Sequence, residues 1–469
     1  MNMLWINAIY CIIMTVIIFT PIFTPKGSDV PKYPPYTTAC LPVIFLIFVF
    51  MGFVFGGMDL AMRKLLSMCF NIFLQISIYY AFLLALLPVL RKYFQARTCA
   101  ILWMLPNYLY LLEQFSLEVP EPYIVIQTPG NFLWYLLIIW LAGFVILFAG
   151  RIISHMIARR NLLKNARPIE DVSILELWKQ ELDDANMYKP HLQLLYSPDI
   201  STPLTLGLFA RTMKVILPDT SYSSDELKWI FRHEIVHIGR DDCWNKFFFV
   251  FCTSMCWFNP LMWSAMKKCA DDLELSCDET VLADADDINR LQYANLLLST
   301  AGEAQGFSTC LSAKASSLRH RLKCVVKPPK RHHGLILICI VFFVLFMGYG
   351  YVSLTYDEQT GKELIFQSQN PETYTFDSED EYICKDKESF INYLSNLKMA
   401  HYTGNYSYYD KEERYYLYFL TPEGNNMYLR LCDEVIEVGT LDLDGFSYSY
   451  YYLTDGIDWE YLNELLTPI

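Results

Sequence analysis

Long apolar runs alternate with short polar or basic segments along the first third of the chain. These runs lie at residues 4–23, 39–57, 67–90, 98–113 and 132–150, and a sixth run of 21 apolar residues covers 334–354. A run of about 20 apolar residues is long enough to cross a bilayer as a helix. The pattern therefore predicts about five membrane spans within residues 1–150 and one further transmembrane helix at 334–354.

Basic residues predict how these spans are oriented. Lysine and arginine cluster at 91–97, 151–164 and 320–333. Because such clusters stay on the cytoplasmic side of a membrane, residues 151–333 are predicted to be cytoplasmic, and residues 355–469 extracytoplasmic. This topology also places Arg63 and Lys64 outside, which runs against the rule.

The polar region between the fifth and sixth spans carries mixed periodicities. They predict a helix at 168–184, extended segments at 191–197 and 213–218, and a helix from Pro260 to about Ala283. The apolar residues 247–258 are too few to span a bilayer, so they predict a helix buried against the protein or the membrane face.

Residues 355–469 read as a small α+β domain. Alternating segments at 414–420 and 426–432 predict a hairpin, with further strands at 434–438 and 446–453 and helices at 387–398 and 458–466. This domain holds 17 of the 33 tyrosines, which either form a binding face for an unknown extracytoplasmic ligand or simply suit half-buried strands.

Composition sharpens this division of the chain. The sequence is 54% hydrophobic with a net charge of −13, and residues 355–469 alone hold 23 acidic and 7 basic residues. Because the sequence has no concentrated basic patch apart from the short clusters beside the predicted spans, we expect no direct nucleic-acid binding. Cys384 and Cys432 are the two cysteines of the acidic domain, where a bridge and two buried thiols are both open readings.

The strongest chemical signal is the H-E-x-x-H motif of His233, Glu234 and His237. Ser223 and Glu226 form a capping box, which predicts a helix that starts just before Asp225. On that helix, histidines four residues apart share one face and can bind one Zn²⁺ ion. Glu234 is then placed to take a proton from the water that the metal activates. The alternative is a surface helix that carries these residues by chance.

A catalytic zinc ion needs a third protein ligand, and E-L-S-C-D at 274–278 offers one. Glu274 is the candidate ligand, and Asp278, one turn later, is placed to accept a hydrogen bond from a ligating imidazole. Asp242 could support the site at the end of the zinc helix, or be exposed after a turn. The alternative interpretation of Glu274 and Asp278 is a solvated acidic helix face. Asp271, Asp272 and Glu279 are the other carboxylates that compete for the role of third ligand.

Three motifs in order resemble the BlaR/MecR-type family of integral membrane zinc peptidases. They are H-E-I-V-H-I-G-R-D-D-C-W-N, W-F-N-P-L-M-W and L-E-L-S-C-D-E-T-V-L, and the resemblance covers roughly residues 67–354. It implies a gluzincin-type fold with His233, His237 and Glu274 as zinc ligands and Glu234 as catalytic base. It also implies a sensor that triggers cleavage of a cytoplasmic transcriptional repressor.

The acidic domain departs from the family pattern. The best-known members end in a penicillin-binding domain with a reactive S-x-x-K, whereas this outer segment has only 115 residues. Ser395 to Lys398 reads S-N-L-K but has no K-T-G companion, so we interpret it as part of an amphipathic helix. The resemblance therefore does not extend to a beta-lactam receptor.

Together these observations predict a multi-pass α-helical protein of the bacterial cell membrane. A cytoplasmic gluzincin-type α+β zinc peptidase domain (151–333) is inserted between the spans of 1–150 and 334–354, and a small extracytoplasmic α+β sensor domain covers 355–469. The predicted function is signal-dependent cleavage of a cytoplasmic repressor, with self-cleavage in the linker 302–316. Two alternatives remain: a non-proteolytic receptor with a structural zinc site, and a constitutive quality-control protease. A homodimer is left open.

Overall fold

A computed structural model of the chain describes residues 35–114, 122–129, 132–187, 191–300, 309–310, 315–347, 350–367, 369–376, 382–403, 415–442 and 445–468. The span predicted at 4–23 lies outside these residues, as does most of the linker 302–316. The chain forms two compact units. The first takes in the described residues of 1–55, 72–117 and 141–348, and the second takes in those of 56–71, 118–140 and 349–469.

The α-helices are α1 (Pro35–Tyr93), α2 (Ala96–Met104), α3 (Phe132–Lys164), α4 (Val172–Asp184), α5 (Ser224–Gly239), α6 (Asp242–Met255), α7 (Pro260–Val281), α8 (Asp287–Ser299), α9 (Ala315–Val326), α10 (Leu335–Met347), α11 (Gly361–Leu364), α12 (Lys387–Asn396) and α13 (Trp459–Leu465). Short 3₁₀ helices cover Leu105–Gln114, Ala210–Thr212 and Pro371–Thr373.

The strands are β1 (Ile124–Ile126), β2 (Arg167–Pro168), β3 (Gln193–Ser197), β4 (Leu204–Leu206), β5 (Lys214–Pro218), β6 (Thr309–Cys310), β7 (Val352–Thr360), β8 (Thr375–Phe376), β9 (Tyr382–Cys384), β10 (Lys398–Tyr402), β11 (Tyr415–Leu420), β12 (Asn426–Leu431), β13 (Val435–Asp442), β14 (Gly445–Leu453) and β15 (Leu466–Pro468).

Two helical segments among the described residues are long and apolar enough to cross a membrane, Ala61–Tyr93 of α1 and Phe132–Lys164. Large apolar side chains on both are turned outward, including Phe82 and Ile146. Such continuous apolar exposure fits contact with lipid better than contact with water. Helical geometry in α1 is interrupted at Gly57, whose φ of 75° is open to glycine without strain.

Two of the predicted spans differ from the structure. In 98–113, α2 has nine residues and then tightens into a 3₁₀ helix around Pro106, and most of its apolar side chains are buried by protein. Proline cannot continue an α-helix because it lacks the backbone N–H. In 334–354, α10 has 13 residues, and strand β7 begins at Val352.

The first unit contains a sheet in the order β2-β3-β5-β4-β6. The predicted extended segments are confirmed as β3 and β5, which pair in parallel. Apolar side chains of this sheet and of α4, α5, α8 and α9 share one core, with Val215, Ile230 and Leu297 fully buried. The core fixes α5, the helix of the H-E-x-x-H motif, against the sheet.

The second unit contains a sheet in the order β1-β7-β10-β14-β13-β12-β11-β8. The predicted hairpin is confirmed, since β11 and β12 pair antiparallel from Tyr415↔Leu431 to Leu420↔Asn426. One face packs against α12 and α13, with Leu417, Leu429 and Ile436 in the core. Cys384 and Cys432 are not bridged in the structure.

Candidate metal centre

The two histidines of the H-E-x-x-H motif meet on one face of α5. The predicted capping box is present, because Ser223 caps the helix and exchanges hydrogen bonds with Glu226. His233 and His237 are both buried, and their Nε2 atoms lie 3.0 Å apart. Two imidazole nitrogens therefore converge on one point, as a shared metal ion requires.

Glu274 on α7 brings an oxygen to the same point. Its Oε2 atom lies 3.7 Å from Nε2 of His233 and 3.7 Å from Nε2 of His237. This oxygen is buried and accepts no hydrogen bond from the residues described. Nη1 of Arg321 lies 3.5 Å from this oxygen without forming a hydrogen bond to it, so a cation between the oxygen and the two nitrogens would offset the remaining cost of its burial.

The spacing of these three atoms fits zinc. Ligands about 2.0–2.1 Å from a tetrahedral zinc ion lie about 3.4 Å from one another, and the three separations here run from 3.0 to 3.7 Å. Three protein ligands are also the number found in catalytic zinc sites, where the fourth position belongs to water or substrate.

The electrostatics of the site favour positive charge. Burial by itself lowers the pKa of His233, but Cys277 and Glu274 outweigh it and raise that pKa to about 9. Burial likewise lowers the pKa of His237, yet Cys277, Glu274 and Asp242 raise it well above its ordinary value. The surroundings of both rings therefore stabilise a cation, whether a proton or a metal ion.

Cys277 offers a second grouping of ligands. Donor atoms of His233, His237 and Cys277 all lie within 4.8 Å of one another. However, Sγ of Cys277 lies 3.4 Å from Nδ1 of His233, whereas it is the Nε2 atom of that ring that faces His237. Because Glu274 faces both Nε2 atoms, it is the better third ligand in this geometry.

Asp242 supports His237 from behind. Its Oδ2 atom lies 2.6 Å from Nδ1 of His237, and its Oδ1 atom accepts a hydrogen bond of 3.0 Å from the amide of Asn245. A carboxylate can only accept, so Nδ1 of His237 carries the proton and Nε2 keeps its lone pair for a metal. Asp242 is buried, which excludes the alternative of an exposed residue after a turn.

Asp278 interacts with His233 only indirectly, through the side chain of a third residue that the sequence motifs do not identify. The direct distance from Nδ1 of His233 to Oδ1 of Asp278 is 3.7 Å, too long for a hydrogen bond. The hydroxyl of Tyr293 on α8 lies between them, 2.8 Å from Nδ1 and 2.7 Å from Oδ1. The expected direct hydrogen bond is therefore replaced by a tyrosine bridge.

Glu234 lies on the buried side of α5, next to the sheet. Its Oε2 atom accepts a hydrogen bond of 2.6 Å from the hydroxyl of Thr205 on β4. Thr205 pairs with Val215 of β5 on one side and with Thr309 of β6 on the other. The candidate base is thus hydrogen-bonded to strand β4, and β6 is the edge strand next to β4.

The competing carboxylates are engaged elsewhere. Asp272 accepts hydrogen bonds from Arg91 and Trp103, Glu279 pairs with Arg331, and Asp271 accepts from Ser317. Asp271, Asp272 and Glu279 therefore have partners away from the two histidines, whereas Glu274 faces both rings.

Comparison with known proteins identifies a family whose model matches the part of the chain that holds these residues. Residues 112–325 match the family model described as BlaR1 peptidase M56. The chain is 27% identical over 191 residues to regulatory protein BlaR1 of Bacillus licheniformis. The aligned segment covers 40% of this chain and 31% of that protein. The chain is 24% identical over 173 residues to the methicillin resistance mecR1 proteins of Staphylococcus aureus and Staphylococcus epidermidis, covering 36% of this chain and 28% of each.

The match spans about a third of the length of these relatives. Residues 112–325, which the family model matches, include α5 and α7, the helices that carry His233, Glu234, His237 and Glu274. The resemblance that the three motifs indicate is therefore confirmed for the peptidase region.

Proposed function

We propose that the chain is a membrane-bound zinc endopeptidase with a gluzincin-type site, and the premise is the match of residues 112–325 to the family described as BlaR1 peptidase M56. It cleaves a cytoplasmic transcriptional repressor in response to an extracytoplasmic signal other than a beta-lactam. The observation that carries this proposal is the convergence of Nε2 of His233, Nε2 of His237 and Oε2 of Glu274.

Each site residue has a role in peptide hydrolysis. His233, His237 and Glu274 would hold the zinc ion. A bound zinc ion lowers the pKa of its water to about 7 and polarises a carbonyl group. Glu234 takes the proton of the attacking water and delivers it to the leaving amine. Thr205 holds the Glu234 carboxylate in place through its 2.6 Å hydrogen bond.

The proposed topology is multi-pass, with the active site cytoplasmic and residues 355–469 outside. Arg63 is one of the two residues, with Lys64, that run against the charge rule, and within the second unit its Nη2 atom lies 3.8 Å from Asp357 Oδ2. Trp134 donates a 2.6 Å hydrogen bond to the same carboxylate. An acidic partner in the C-terminal domain supports an outer position for Arg63, because the pairing offsets the cost of its charge.

Self-cleavage is part of the proposal. Strand β4 carries Thr205, and the linker segment Thr309–Cys310 adds to it antiparallel, with Thr309 opposite Thr205. Zinc peptidases bind an extended substrate by adding it to a strand next to the metal helix. A segment of the linker 302–316 therefore lies where we expect a substrate backbone.

The test compares new protein N-termini in cells that express the full-length wild type, Glu234→Ala or Glu176→Ala, across a panel of cell-envelope stresses. Glu176 is an exposed glutamate on α4, which makes it a matched control. We expect a cleaved repressor and a cut within 302–316 in the wild type and in Glu176→Ala. Equal cleavage in Glu234→Ala would refute a proteolytic function.

A second candidate function is a receptor whose zinc site is structural. The proximity of Cys277 to both histidines favours it, since a thiolate in the fourth position would close the site. Absorption of the cobalt-substituted protein distinguishes the two functions. An intense near-ultraviolet thiolate-to-cobalt band that disappears in Cys277→Ser supports the structural site, and its absence supports the hydrolytic one.

A further inference from the structure

A line of buried side chains leads from His233 away from the metal position. It runs from His233 on α5 to Tyr293 on α8, then to Asp278 on α7 and Arg321 on α9. All four side chains are at most 1% exposed. We propose that Tyr293 is a positioning residue that sets the metal-binding form of His233, and that Arg321 acts through it. This inference rests on the zinc site of the proposed function.

The direction of each hydrogen bond follows from the chemistry of the groups. An ionised Asp278 only accepts, so the hydroxyl of Tyr293 donates to its Oδ1 atom over 2.7 Å. The hydroxyl then has only lone pairs left for His233, whose Nδ1 atom is 2.8 Å away. Nδ1 must therefore carry the proton, which leaves the lone pair of Nε2 free to bind a metal.

Arg321 fixes the carboxylate on which Tyr293 depends. Its Nε atom donates to Oδ2 of Asp278 and its Nη2 atom donates to Oδ1, both over 2.7 Å. This two-pronged contact orients the plane of the carboxylate in a way that a single charge would not. The third nitrogen, Nη1, lies 3.5 Å from Oε2 of Glu274.

The contact brings α9 into the metal centre. Only residues 327–334 separate α9 from the apolar helix α10. The orientation of His233 thus depends on the helix that leads into the last apolar segment of the first unit.

The experiment measures the zinc dissociation constant of the full-length protein in detergent by competition with a chelator. Tyr293→Phe keeps the ring in the core and removes the hydroxyl, so we expect zinc binding about 10–100-fold weaker, as for loss of other outer partners of ligating histidines. We also expect a changed visible spectrum of the cobalt-substituted protein. Tyr222→Phe is the control, because Tyr222 packs at the rim of the same core and should change neither quantity.

Arg321→Lys keeps the positive charge but loses the pair of hydrogen bonds to the Asp278 carboxylate. It should therefore weaken zinc binding less than Tyr293→Phe does. If Arg321 acts through Tyr293, the double variant should bind zinc about as weakly as Tyr293→Phe alone. Additive losses would refute this coupling.

Wild-type zinc affinity and spectrum in a folded Tyr293→Phe protein would refute the role of Tyr293, even if its metal-free form unfolds more easily. Absence of proteolysis in a wild type that binds zinc would contradict the proposed function instead.

Discussion

Two buried polar clusters of this molecule differ in how their acceptors are satisfied. In the C-terminal sheet, Glu437 accepts 2.7 Å from the hydroxyl of Tyr428 and 2.9 Å from Nη1 of Arg430. The ring of Tyr428 lies over Gly439, where any Cβ atom would clash with it. Both carboxylate oxygens of Glu437 have donors, so this cluster is complete without a ligand.

The cluster on α5 and α7 differs because some of its hydrogen-bond acceptors have no donor. Tyr293 and Asp242 each accept from the Nδ1 side of one histidine, which leaves both Nε2 atoms as acceptors. These two atoms face Oε2 of Glu274 within 3.7 Å. Three lone pairs in one place repel one another unless a cation separates them. The comparison teaches that the balance of donors and acceptors, more than burial or charge, marks the functional site.

The largest effect should come from removal of a ligand. His237→Ala takes away one of the three proposed metal donors, about a third of the roughly 10–16 kcal/mol of a zinc site, so we expect about 10³-fold weaker zinc binding. Zinc content per chain, measured on purified protein by atomic absorption, should fall from near one to near zero. His191→Ala, at an exposed histidine of the same unit, should keep its zinc. Full zinc content in His237→Ala would place the metal elsewhere.

Metal removal should separate the two clusters. Zinc at about 100 times its dissociation constant should stabilise the folded site by about 2.7 kcal/mol relative to the chelator-treated protein. Hydrogen exchange should therefore slow on re-addition of zinc in Ser224–Gly239 and Pro260–Val281 and stay unchanged in Asn426–Leu431. Slower exchange in the tyrosine-rich strands as well would contradict the view that their cluster is complete.

Thr205→Val tests whether Glu234, the proposed base, needs its hydrogen-bond partner. The substitution keeps the shape of the side chain and removes the hydrogen bond to Glu234, which is worth about 1.5–3 kcal/mol when one partner is charged. We expect kcat on the identified substrate to fall about 10–100-fold while zinc content stays constant. Thr220→Val, at an exposed threonine, is the control. A fall in zinc content together with kcat would assign Thr205 to the metal site rather than to the base.

The local parts of the candidate site could be predicted from spacing in the sequence. The capping box, the spacing of His233 and His237, and the position of Glu274 all follow from one or two helices, where spacing determines which residues share a face. Tyr293 and Arg321 were not predicted, because they reach the site from helices that only tertiary packing brings close. Arg321 had been counted among the basic residues that orient the membrane spans, yet it is 1% exposed and paired with Asp278.

The apolar runs show the same limit. Residues 98–113 satisfy the criterion of hydropathy, but their side chains are buried by protein, as in Trp103 and Leu109. Hydropathy measures avoidance of water and does not distinguish lipid from a protein core. The strand β6 was missed because two residues carry no periodicity, and its partner β4 lies about 100 residues earlier in the chain.

The smallest expected effect tests the complete cluster. Glu437→Gln keeps the size of the side chain and removes the charge that holds Arg430, whose side chain is only 16% exposed. We expect a loss of about 1.5 kcal/mol, the lower end for a charged hydrogen bond, seen as roughly tenfold faster hydrogen exchange in Tyr415–Leu420 and Asn426–Leu431. Glu423→Gln, in the exposed turn between these strands, is the matched control. Because every acceptor of the cluster is satisfied within the sheet, zinc affinity should stay at the wild-type value, and a change in it would mean that the two clusters are coupled.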